Sequence, residues 1–367
     1  MNNEQPCSTV VSRQRSAVKR RYCTANHQSF QLAIDGAINY NRHVAMTDQV
    51  PLLNLKSAVR ATVIVNPVSG THNVRASLPA ALDILRERGW QVDLQMTERA
   101  GDIGRLAEQA RDQQQQVVIV AGGDGSLNEA ANALAHSATA LGVLPSGTAN
   151  VWARQIGLPI PLPLYTTQLI DAARALCDGL IRPIDLGQLN GRYFVLWAGV
   201  GLDAHVTARI EPRPPWVKRF GIAGYAWRAF WAATKFRGTH ATITLDEQTI
   251  HCRALMVLIS NAQLYGGVVN AAPDAQLDDG WLDVTIFKGE HFAQALVHMA
   301  RYLVRHRPHD PETIERRARQ VRITTKRPYD AHVDAEPIGQ TPCDVAVVPR
   351  ALRVIVPQQV PGQLFAD

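Results

Sequence analysis

Five cysteines among 367 residues are too few, and too scattered, for structural chemistry: Cys7, Cys23, Cys177, Cys252 and Cys343 form no Cys-x-x-Cys pair. A disulfide framework and a zinc ribbon are therefore excluded. No apolar run approaches the roughly 20 residues that a membrane span needs. The N-terminus carries basic and polar residues without the apolar core of a signal peptide. These absences read as a cytoplasmic protein with reduced thiols. The histidines, including His306 and His309 around Arg307-Pro308, lack a metal-ligand spacing and read as surface residues.

What is present is ordinary in amount and uneven in placement. A hydrophobic share of 46% against 19% charged residues allows a core of normal size, and the length suggests two domains. The net charge of +6 suits a polyanionic partner, either a phosphate-rich nucleotide or an acidic membrane surface. Residues 1–57 mix Arg13, Arg15, Lys19, Arg20 and Arg21 with polar residues and read as a disordered basic arm.

From Arg60 the texture changes. Buried-type strands at 61–65, 91–96, 117–121 and 140–144 alternate with helical spacing at 78–89, 103–112 and 129–134. This is a βα series, and a parallel sheet delivers its successive loops to one carboxyl edge. Turns rich in Gly, Ser, Thr and Asn at 66–70, 97, 122–128 and 146–150 should therefore converge on one crevice.

The stretch Val117-Val118-Ile119-Val120-Ala121-Gly122-Gly123-Asp124-Gly125-Ser126-Leu127-Asn128 is a strand that breaks into a glycine turn and then a helix. Three glycines around one Asp suggest left-handed backbone and N–H groups able to approach phosphate, with a helix N-terminus beyond them. It is no Walker A loop, since Ser126-Leu127 stands where Lys-Ser/Thr is needed. It is no dinucleotide fingerprint either, since Asn128 holds the place of the third glycine.

Beyond a helix at 166–177 the pattern turns to period two, with strands at 182–189, 193–200, 241–245, 253–260, 282–287, 320–325 and 344–348 and one helix at 292–306. Between them, Trp216, Phe220, Ala223, Trp227 and Trp231 recur at helical spacing among Lys218, Arg219, Arg228, Lys235 and Arg237. Such a helix over 214–238 suits either a lipid interface or packing on its own sheet.

Five ordered motifs together resemble the bacterial members of the diacylglycerol kinase and sphingosine kinase superfamily of lipid kinases. They are Asn66-Pro67-Val68-Ser69-Gly70, Gly122-Gly123-Asp124-Gly125-Ser126, Pro145-Ser146-Gly147-Thr148-Ala149-Asn150, Asn261-Ala262-Gln263-Leu264-Tyr265-Gly266-Gly267 and Asp278-Asp279-Gly280-Trp281-Leu282-Asp283. The resemblance implies a three-layer α/β nucleotide domain at 58–180, joined by residues 350–367, and an antiparallel β-sandwich lipid domain at 181–349. It implies ATP and Mg²⁺ as cofactors and a lipid hydroxyl at a membrane surface as acceptor, with no nucleic-acid partner. Location would be cytoplasmic, at the inner face of the membrane when it meets its lipid. Oligomeric state stays open, a homodimer included.

Carried over by position, the nucleotide would contact Asn66, Pro67, Val68, Ser69, Gly70, Thr97, Gly122, Gly123, Asp124, Gly125, Ser126, Leu127, Asn128 and Thr148. Ser126 stands where the family usually has Thr, and the hydroxyl survives. The family's Asp-Gly-Glu segment is matched by Asp334-Ala335-Glu336, which makes Glu336 the proton acceptor and Asp334 its acidic neighbour. Two carboxylates one residue apart on a strand would share a face and raise each other's proton affinity. Ala335 replaces the family's Gly, and a Cβ there is strained if the turn needs positive φ. The Asp-Asp-Gly turn resembles a Mg²⁺ loop, with Asp279 and the backbone oxygens of Gln276 and Trp281 as ligands. Asp203 and Asp283 read as strand-end or supporting acids. A related NAD kinase type and a nucleotide- and lipid-binding regulator without catalysis are the alternatives.

Overall fold

The computed structural model describes residues 55–56, 58–67, 69, 74–160, 167–210, 231, 233–267, 269–303 and 312–366. The basic arm up to residue 54, Val68, Gly70, most of the aromatic stretch at 214–238, and His306 and His309 lie outside them.

The first half is a parallel sheet in which strand β1 (Arg60–Val65) pairs with β2 (Gln91–Met96) on one side. On its other side lies β3 (Val117–Gly122), which continues to β4 (Ala140–Pro145). Alternation along these strands decides which helix covers which face. Val63, Val65, Val117 and Ile119 pack with Leu78, Leu82 and Leu85 of α1 (Val74–Glu87). Ile64, Val118 and Val120 face the other way, onto Ile103 and Leu106 of α2 (Asp102–Asp112) and Leu127, Ala130 and Ala131 of α3 (Asp124–Leu134). A short α4 (Val151–Gln155) follows β4, and α5 (Gln168–Cys177) returns to the α1 face through Leu169, Ala172 and Leu176. The result is three layers.

The second half is antiparallel and β-rich. Strand β5 (Leu180–Leu189) turns at Asn190-Gly191, both with positive φ, into β6 (Arg192–Phe194). After β7 (Trp197–Gly201) and α6 (Leu202–Ile210) come β8 (Thr239–Leu245) and the long β9 (Gln248–Ser260). A small pair, β10 (Leu264–Tyr265) and β11 (Val269–Asn270), precedes β12 (Leu282–Lys288) and α7 (Phe292–Leu303). The chain ends in β13 (Thr313–Ala318), β14 (Gln320–Thr325), β15 (Asp330–Val333), β16 (Glu336–Gln340) and β17 (Cys343–Val356).

Two features differ from the alternation in the sequence. The strand expected over 193–200 is broken at Val195-Leu196, because the amides of residues 195–197 turn away to a side chain described below. Strand β17 belongs to both halves: Ala346 pairs with Gln320 of β14, while Val354 pairs in parallel with Leu141 of β4. Its register shifts between Val348 and Leu352, where Arg350 takes φ 50. No described helix is long and apolar enough to cross a membrane.

Candidate active site

The glycine motif sits across the end of β3 and the first turn of α3, because the helix starts at Asp124 and not at Glu129. Its unpaired N–H groups therefore belong to the motif itself. The expected left-handed glycines are not found: Gly122, Gly123 and Gly125 are absent from the positive-φ residues, and Gly123 has φ −101. Space is the reason for two of them. A Cβ on Gly122 would stand 2.5 Å from Cβ of Ser126, and one on Gly123 would stand 3.2 Å from Cα of Gly147. A Cβ on Gly125 meets nothing within 4 Å.

Once the helix begins at Asp124, its period turns Ser126, Leu127 and Asn128 inward, and all three are buried. Asn66 Nδ2 donates to Ser126 Oγ at 3.4 Å, and Nδ2 of Asn128 is enclosed without a partner. Asp124 does not face the crevice freely. Its carboxylate accepts the N–H of Trp152 at 3.0 Å and that of Val151, capping α4. Burial pushes its proton affinity up against those amides.

The loops after the parallel strands meet. Asn66 N–H donates to Ala121 O at 3.0 Å, and Thr97 N–H to Val65 O at 3.0 Å. Ser146 N–H donates to Gly122 O at 3.0 Å, and the hydroxyls of Ser69 and Ser146 are 3.1 Å apart. Asn150, at φ 48, accepts Gly147 N–H at 2.8 Å and returns a bond to Gly147 O at 2.9 Å. Pro67 and Thr97 are half-buried and Thr148 is exposed at the tip of its turn.

The acid segment is a hairpin turn. Val333 of β15 pairs with Glu336 of β16, and the two residues between, Asp334 and Ala335, have φ 46 and 67. Both central residues at positive φ define the tight turn that suits strand twist. Asp334 lies in the turn and Glu336 on the strand after it, so the two do not share a strand face. Asp334 is buried, and its carboxylate accepts the N–H groups of Val195 at 2.8 Å, Leu196 at 3.0 Å and Trp197 at 2.9 Å. Burial pushes it up to about 6 despite these amides, and the charge of Asp124 adds to the rise. The helix that carries the glycine motif reaches the same segment, since Asn132 of α3 bonds Tyr193, two residues before Val195. Glu336 is exposed and ion-paired to Arg192 Nη2 at 2.9 Å. Arg192 is held in turn by its neighbour: Tyr193 N–H donates to Asn132 Oδ1 of α3 at 3.0 Å, and Asn132 Nδ2 donates to Tyr193 O at 3.1 Å.

One residue passed over in the sequence lies beside this turn. His332 is buried, contrary to a surface reading, as is His298. His332 Nε2 lies 2.6 Å from Asp203 Oδ2.

The Asp-Asp-Gly turn is organised by other partners. Asp279 is ion-paired with Arg317 and accepts the N–H of Trp281 at 3.0 Å. Asp278 accepts Ala366 N–H at 2.7 Å, and Gln276 Nε2 donates to Phe365 O at 3.4 Å. Asp185 bridges Gly280 N–H and Arg350 N–H, each at 2.6 Å, and burial pushes it up to about 6. Among the described residues no three His, Cys, Asp or Glu side chains are grouped to hold a metal. Asp279, the one carboxylate of the expected Mg²⁺ set with the backbone oxygens of Gln276 and Trp281, is engaged by a guanidinium.

A parallel α/β unit with loops rich in Gly, Ser and Asn at one edge, joined to an antiparallel unit that carries an acidic turn, is an arrangement compatible with a phosphotransferase of the kinase type. Residues 60–189 match the model of the diacylglycerol kinase catalytic domain, and residues 197–356 match the YegS C-terminal NAD kinase beta sandwich-like domain. The chain belongs to the diacylglycerol kinase and sphingosine kinase-like superfamily and is an enzyme of the lipid kinase type. It is 29% identical over 307 residues to a diacylglycerol kinase of Bacillus subtilis (strain 168), covering 83% of this chain and 99% of that one. A diacylglycerol kinase of Staphylococcus epidermidis (strain ATCC 35984) is 29% identical over 305 residues, covering 82% and 93%. In fold it is similar to the crystal structure of a putative diacylglycerol kinase from Bacillus anthracis str. Sterne, with TM-score 0.67 and 22% identity over 82% of this chain and 98% of that one.

Proposed function

We propose that this enzyme transfers the γ-phosphate of ATP to the hydroxyl of a diacylglycerol-like lipid, with Glu336 as the proton acceptor. The observation that carries the reading is the junction of the two halves, where Asn132 of α3 bonds Tyr193 and the amides that follow, 195–197, are held by Asp334 beside Glu336. Mg²⁺ bound with ATP would supply charge neutralisation on the phosphates. The phosphates lie on the backbone amides of Gly123 and Gly125 and on the hydroxyls of Ser69 and Thr148, with Asn66, Pro67 and Thr97 completing the rim. Ser126, Leu127 and Asn128 act from beneath by fixing the helix that presents those amides.

Asp334 is a positioning residue in this reading. Its carboxylate is saturated by three main-chain donors, so Glu336 alone is free at the surface to take the proton once Arg192 yields it. Replacing Glu336 by Gln removes the acceptor without changing shape. Turnover with ATP, Mg²⁺ and diacylglycerol in mixed micelles should fall about 10²- to 10⁴-fold, with ATP binding kept. Unchanged turnover would remove Glu336 from this role. Phosphorylation of NAD in a lipid-free assay would support the NAD kinase alternative, against which the first domain's match and the full-length relatives both weigh.

A further inference from the structure

The left-handed residue at 335 is an alanine, and its Cβ disfavours that conformation. Something must hold it there. The Ala335 N–H donates to His332 Nδ1 at 3.2 Å. An amide cannot accept, so Nδ1 carries the lone pair and the ring's proton sits on Nε2. That proton points at Asp203 Oδ2, 2.6 Å away. Asp203 stands in the first turn of α6 and also accepts a hydrogen bond from Tyr265.

Strand β7 keeps the path open. His332 pairs across the sheet with Gly199, where a Cβ would stand 2.3 Å from His332 Nε2 and 2.6 Å from Asp203 Oδ2. A line of hydrogen bonds thus runs from Tyr265 through Asp203 and His332 to the amide immediately before Glu336.

We propose that His332, oriented by Asp203, is a positioning residue for Glu336, holding the 334–335 turn left-handed so that the Glu336 carboxylate meets the acceptor hydroxyl. The proposal rests on the reading of Glu336 as the base. The competing account is a core histidine that merely fills the room left by Gly199.

The test uses the full chain with four changes. His332→Gln keeps a donor towards Asp203 but loses the acceptor at Ala335. Ala335→Gly in that background lets the turn form without the ring. Asp203→Asn loosens the ring's orientation and serves where His332→Gln folds poorly, and Glu336→Gln reports on the base itself. Two readouts are taken: kcat and the KM for ATP in diacylglycerol mixed micelles, and hydrogen exchange of the Ala335 amide, which needs no acceptor lipid. In His332→Gln, exchange should quicken at least about tenfold and kcat should fall about tenfold, a change of about 1.4 kcal/mol, with the KM for ATP unchanged. Ala335→Gly should then bring kcat back to within about threefold of wild type, a rescue that space-filling alone does not explain. Asp203→Asn should move both readouts in the same direction. Unaltered exchange in His332→Gln overturns the proposal whatever the kinetics. Wild-type kcat in His332→Gln beside a dead Glu336→Gln also overturns it while leaving the base assignment standing. Wild-type turnover in Glu336→Gln sinks the base assignment and the proposal with it.

Discussion

The glycine motif at 122–125 and the acid turn at 334–336 reverse what their residues advertise. The first is rich in glycine and uses none of its left-handed freedom, while the second has no glycine and places two residues at positive φ. The difference is one of cause. At Gly123 and Gly147 the missing Cβ makes room for a close approach of two loops, and at Gly122 for Ser126 of the helix that follows. At Asp334 and Ala335 side-chain hydrogen bonds impose a backbone that composition disfavours.

The sharpest way to break the comparison is Gly147→Ala, whose Cβ would stand 2.5 Å from Cα of Gly123. With backbone against backbone nothing flexible can yield, and a loss of about 2–3 kcal/mol is expected in urea unfolding, with ATP binding lost in titration. Asp334→Asn comes next. Asn offers one acceptor oxygen where two now serve three amides, so the variant should lose about 1–3 kcal/mol at pH 5.5.

The same residue gives wild type a pH signature. Its carboxyl is raised in the fold from 3.8 to about 6, so the folded state binds the proton more tightly than the unfolded chain. Stability from this source is full below about pH 4 and is lost as pH rises through about 6. Melting temperature should therefore fall between pH 5 and pH 7 in metal-free buffer, and Asp334→Asn should flatten that slope. Ala335→Gly removes the misplaced Cβ and should gain about 1 kcal/mol. The smallest effect on folding belongs to Gly125→Ala: with open space around the new methyl, the unfolding midpoint should hold within about 0.5 kcal/mol while ATP binding weakens.

Local causes made the first half legible. Buried runs ending in Gly, Ser, Thr and Asn fix parallel strands and their convergent loops, and five motifs in order brought the family into view. What escaped depends on distant partners. The break at Val195-Leu196 is caused by a carboxylate 139 residues downstream. Glu336 is held by Arg192 from 144 residues away, and Asp279 by Arg317 from 38. Main-chain amides, the partners of Asp334, leave no mark in a sequence. Strands β13, β15 and β16 are too short, at 4–6 residues, and too polar on their outer faces to show an alternation. His332 reads as a surface residue until Gly199 is seen to leave a slot for it.

Strand β17 has a consequence for where this chain can be cut. Its fourteen residues supply an interior neighbour to β14 at one end and to β4 at the other. Without it β4 and β14 would each present an unpaired edge, so truncation after residue 340 should unsettle both halves at once.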